Sequence, residues 1–171
     1  TNKTNKFVTS PMKNFYAMKK NGFLLLLAWI APLFSLQAQN AALGERVSEV
    51  KTETWLGGVR PMTAPLTVIA FFAASNPACV KSLEQLYALT EKSGERLRVI
   101  LVTRDDDAKI SPVVTPYLSP RFTVAFDTDG KIFKNFGVNY VPFSLLTDAR
   151  NRVLWQGNSL HLTDKIVSSA Q

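Results

Sequence analysis

The chain has 171 residues, with 20 Lys and Arg against 13 Asp and Glu and a formal net charge of +7 at neutral pH. Five of the basic residues, Lys3, Lys6, Lys13, Lys19 and Lys20, precede residue 39 with no acidic residue among them, so the remainder holds 15 basic and 13 acidic residues. That near balance, with no cluster of Lys and Arg interleaved with aromatics, argues against a nucleic-acid partner, and a single cysteine excludes any internal disulfide.

The first segment reads as an export signal: basic Met18-Lys19-Lys20, an apolar run over residues 23–34, and a polar stretch ending Ser35-Leu36-Gln37-Ala38. Cleavage is expected after Ala38, with residues 1–17 as an upstream extension before a natural start at Met18. The run is shorter than the roughly 20 residues a spanning helix needs, and no cysteine at its end offers a lipid acceptor. The expectation is a periplasmic product without stable membrane insertion, an uncleaved anchor being the alternative. Residues 1–38 are then extension and signal, and residues 39–171 a single domain.

In the remaining chain, Thr54-Trp55-Leu56 before Gly57-Gly58 suggests an outer strand entering a turn, and the short, β-rich apolar run of residues 66–72 a central strand buried on both faces. From Pro77 the period becomes helical. Cys79, Leu83, Leu86 and Leu89 or Thr90 share one face, Lys81, Glu84, Gln85, Glu91 and Lys92 the other. Asn76 can cap this helix, Pro77 suits its first turn, and Gly94 closes it. The apolar run of residues 97–102 completes a βαβ unit, which implies parallel pairing through a right-handed crossover.

Asp105-Asp106-Asp107 reads as a solvated loop, because it lacks the spaced ligands and glycine of a calcium site. Pro112, Pro116 and Pro120 limit the next stretch to a short, kinked helix. Residues 122–126 suggest a strand, Asp127-Thr128-Asp129-Gly130 a turn, and residues 131–136 a short helix ending at Gly137. Residues 143–146 and 152–155 form an expected antiparallel hairpin, and a last helix is expected over residues 163–169. The only histidine, His161, has no clustered partners for a metal.

The order of these elements and several fixed residues resembles the thioredoxin superfamily, most closely its exported TlpA-type and redoxin-like members. The likeness spans residues 66–157. It rests on a strand ending Phe71-Phe72-Ala73-Ala74, a helix-start motif, Asp127-x-Asp129-Gly130 leading to Phe136-Gly137-Val138, a Val141-Pro142 step, and a hairpin ending Trp155-Gln156-Gly157. It implies an α/β thioredoxin fold, a central mixed sheet flanked by helices, with a cis peptide before Pro142 and no cofactor. In that family the helix begins Trp-Cys-x-x-Cys; here the matching residues are Ser75-Asn76-Pro77-Ala78-Cys79. The attacking cysteine, whose thiolate the helix N-terminus would stabilise, is replaced by Asn76, and only the inward, resolving-type Cys79 is left.

The resemblance also places Ala70 where many relatives carry a proton-moving polar residue beneath the motif, and Phe143 where a Thr usually follows the proline. The candidate site is therefore Cys79, as the one residue with catalytic chemistry, and a binding groove of Ser75, Asn76, Pro77, Val141, Pro142 and Phe143. Trp155 either lines that groove or belongs to the core. Without Asn76 as a nucleophile, no dithiol–disulfide cycle is available within one chain. The expected role is groove-mediated binding of a polypeptide or partner protein in the envelope. The competing role is a single-cysteine reductase or peroxidase in which Cys79 attacks and a thiol donor resolves. A peroxiredoxin would have Thr and Pro where Asn76 and Phe72 stand, and an arginine near Val141-Pro142 that this chain lacks.

Overall fold

The computed structural model describes residues 41–170, so the export-signal reading and the cut after Ala38 lie outside the described residues. Leu66–Phe72 forms β1, the middle of a five-stranded sheet in the order β3-β2-β1-β4-β5. β2 is Leu97–Thr103 and β3 is Phe122–Phe126, and both run parallel to their neighbours; β4, Phe143–Asp148, and β5, Val153–Gly157, are antiparallel. Every residue of β1 is buried, as an apolar run covered on both faces requires. Val68, Ala70 and Phe72 enter one core layer, and Ile69 and Phe71 the other. This is the mixed sheet flanked by helices of a thioredoxin fold.

α1, Pro77–Ser93, packs on the first layer through Cys79, Leu83, Leu86 and Leu89. Its start and stop follow local chemistry. The Asn76 side chain accepts from the Ala78 N–H at 2.9 Å, Pro77 fills a first-turn position whose N–H has no helical acceptor, and Gly94 (φ 57°) receives the chain in a conformation open to glycine. α4, Asp164–Ser169, joins the same layer through Ile166 and Val167.

The expected loop at Asp105–Asp107 is a correction. Asp106 caps α2, Asp107–Val114, by accepting from the Lys109 N–H at 3.0 Å, and Asp107 supplies a carboxylate to the first turn, where the helix dipole favours negative charge. Pro112 lies inside α2, and the helix gives way to a 3-10 turn at Thr115–Tyr117. The expected outer strand at Thr54–Leu56 is a single bridge, Trp55 to Ala125, followed by a 3-10 turn at Leu56–Gly58.

On the second face, α3, Lys131–Asn135, is capped from outside the helix. Both Asp127 carboxylate oxygens accept backbone N–H groups, Ile132 and Phe133, each at 2.9 Å. Gly130 (φ 71°) turns the chain between them, and the Arg104 guanidinium lies over the Phe133 ring at 4.2 Å from its centroid. Among the described residues no helix is long and apolar enough to cross a membrane.

Candidate functional site

The loop after β1, the first turn of α1 and the chain entering β4 meet at one end of the sheet. The Val141-Pro142 peptide is cis. Asn76 joins the two sides of this site: its Oδ1 caps α1, and its Nδ2 donates to the Val141 carbonyl at 3.0 Å. One amide therefore fixes the helix start against the proline loop. An amide suits this position because it carries a separate donor and acceptor, where an ionised carboxylate only accepts and a thiol does either weakly.

Cys79 lies one turn further in and has no exposed surface. Its backbone carbonyl accepts from Ser82 Oγ at 2.6 Å. Burial pushes the thiol pKa up; the Ala73 N–H offsets part of that rise and the Asp105 carboxylate adds to it. Desolvation therefore outweighs the help a helix N-terminus gives a thiolate.

The proposed groove residues separate by exposure. Ser75 and Pro77 are exposed, Asn76 and Val141 half-buried, and Pro142 is buried. Phe143 does not line an opening, which corrects the sequence expectation. It is 1% exposed and points into the second core layer, against Phe71 and Tyr140 at centroid distances of 6.3 and 5.4 Å. Strand alternation decides this, because Phe143 pairs with Phe71 and so shares its face, away from α1. Trp155 is half-buried against the first core layer.

Three features of the site carried no clear signal in the sequence. Asp105 is half-buried and accepts from the Ala74 N–H at 2.6 Å, which ties the ends of β1 and β2 together beside the thiol. Beneath α1, Ala70 pairs with Ser144, whose hydroxyl lies 2.7 Å from that of Ser159; both serines are buried, so a neutral hydroxyl pair occupies the layer next to Ala70. Finally, Val80 and Tyr140 are exposed beside Asn76 and Val141, and among the described residues only Leu43 is a further exposed large apolar side chain. Position directly after the motif and before the proline was the one available hint for these two. His161 is exposed, and no three His, Cys, Asp or Glu side chains among the described residues gather closely enough to hold a metal.

No protein-family model and no curated protein matches the sequence. Solved structures do. A thioredoxin-like protein from Aeropyrum pernix is 21% identical, with a TM-score of 0.53 over 63% of this chain and 76% of that one. A protein described as thiol:disulfide interchange protein DsbE, from Chlorobium tepidum, is 26% identical, with a TM-score of 0.50 over 56% and 69%. A thioredoxin-like protein solved in its oxidised form is 19% identical, with a TM-score of 0.62 over 77% of this chain and all of that one. The fold is that of the thioredoxin-like superfamily.

Proposed function

We propose that this chain is an exported thioredoxin-fold protein of the TlpA or redoxin type that binds polypeptide at the proline loop and carries out no dithiol–disulfide exchange. The observation that carries the reading is Asn76: where the attacking thiol would stand, an amide spans the helix start and the Val141 carbonyl. The position thereby serves as a brace between the two sides of the site. A single-cysteine reductase or peroxidase needs an accessible thiolate. Cys79 has no exposed surface, and its burial favours the neutral thiol.

Binding is supported by what surrounds the brace. Val80 and Tyr140 offer apolar surface, Pro77 at the start of α1 is also exposed, and the Val141 N–H has no acceptor among the described residues. A carbonyl of an extended segment could accept from that N–H while the segment's apolar side chains lie on Val80 and Tyr140, as in other strand-addition recognition. Export is supported by the composition of residues 1–38.

The test uses insulin B chain with its cysteines alkylated, so that any binding is non-covalent. The expected result is a saturable shift of the Tyr140 and Val141 amide resonances, weakened at least fivefold by Tyr140→Ser, with insulin reduction no faster than for Cys79→Ala. No saturable shift, or reduction that depends on Cys79, would overturn the reading.

A further inference from the structure

A second cleft lies far from the Asn76 site, on the opposite face of the sheet and toward the start of β1. Its volume is about 560 Å³, within the range of small-molecule pockets. Ile69 and Ile100 form an apolar floor, Trp55 stands at the wall, and Arg98 enters from β2. Arg98 is held in a set orientation: its Nε donates to Thr67 Oγ1 at 2.9 Å and one terminal nitrogen to the Met62 carbonyl at 2.6 Å. The other terminal nitrogen has no acceptor among the described residues.

The charge balance of this arginine is unusual for the chain. Among the described lysines and arginines only Arg98 and Arg121 are not exposed. Arg121 is paired with Glu91 at 2.8 Å, whereas Arg98 has no carboxylate within ion-pairing distance among the described residues. Glu49 also lines the cleft, and its charge reaches Arg98 without forming a pair. A half-buried cation without a counter-ion costs free energy that a bound anion would return. A second cation stands nearby, since the Arg60 guanidinium lies 5.8 Å over the Trp55 ring and is fastened only at 3.3 and 3.5 Å, to the Glu53 and Thr52 carbonyls. The Thr123 hydroxyl, fully buried and without a partner among the described residues, lies on the same face beside Ile100.

We infer that this cleft binds a small carboxylate with a flat apolar body, the carboxylate on the free terminal nitrogen of Arg98 and the body between Trp55 and the Ile69–Ile100 floor. The terminal nitrogen of Arg98 that has no acceptor offers a carboxylate a charge-assisted donor, and the indole supplies a flat wall. Arg60 is placed to add a second positive charge at the mouth. Glu49 competes for the same guanidinium, so its removal strengthens binding.

Benzoate, benzamide and inorganic phosphate are suitable probes, followed through the Trp55 indole N–H resonance. Benzoate is expected to give a saturable shift at least tenfold tighter than either other probe. Arg98→Gln should lose at least tenfold in affinity, Arg98→Lys less, and Glu49→Gln should gain. Benzamide or phosphate binding as well as benzoate, no saturable shift, or a benzoate affinity unchanged in both Arg98 variants would overturn the inference. So would a Glu49→Gln protein that melts at lower temperature and binds benzoate no better, because Glu49 would then be the structural counter-ion.

Discussion

Asn76 and Cys79 stand at the two positions where a Cys-x-x-Cys motif would carry its sulfurs, and each has a separate structural part: a brace at the helix start and a buried side chain in the core. The Asn76 amide contributes a helix cap and a bond to the proline loop, and these can be separated by substitution. Asn76→Ala loses both, at a cost of about 1–3 kcal/mol; Asn76→Ser keeps a capping oxygen and loses the amide donor to Val141, so urea melts should show it regaining roughly half of that loss. Equal stability of the two variants would mean that the cap contributes nothing. For Cys79 the direction of the pKa shift sets a pH dependence. Burial raises the thiol pKa in the folded chain, so the unfolded chain loses its proton first, near the ordinary thiol value of about 8.5. Stability from this group is complete below that pH and declines as pH rises through the window between the unfolded and folded values. Urea melts from pH 7 to 10 should show a decline in the wild type that is absent in Cys79→Ala.

At the scale of elements, the short α3 depends on a carboxylate outside itself. Asp127 satisfies two N–H groups that the buried Ile132 and Phe133 bring with them. Asp127→Ala leaves both without a partner and is expected to cost about 2–5 kcal/mol, while Asp127→Asn, which keeps one acceptor oxygen, should cost clearly less; equal losses in denaturant titrations would contradict this account. Elements were legible in the sequence where the signal is local. The bounds of β1 and α1 follow from a β-rich apolar run and from Asn76, Pro77 and Gly94. Asp105-Asp106-Asp107 misled because a run of three acids reads as one solvated feature, whereas each has its own partner: Ala74 for Asp105, the start of α2 for Asp106, and Ser111 for Asp107.

For the whole molecule, the layering could be read from the order of elements and the cis proline step was implied by the family resemblance, but the contacts that define the site could not be read. Asn76 and Val141 are 65 residues apart, and Asp105 reaches Ala74 across 31, so their pairing is a product of sheet order, not of local pattern. Phe143 shows the same limit, since only the register of β4 on β1 tells which face it occupies. With one cysteine and no disulfide, packing alone encloses Cys79 between α1 and the sheet, so exposure of the thiol reports on the integrity of that layer. The rate at which iodoacetamide modifies Cys79 at neutral pH, native against urea-unfolded, therefore tests the central claim most directly. A native rate at least a hundredfold slower is the predicted result; a native rate equal to or faster than the unfolded rate would contradict a sealed, redox-silent site.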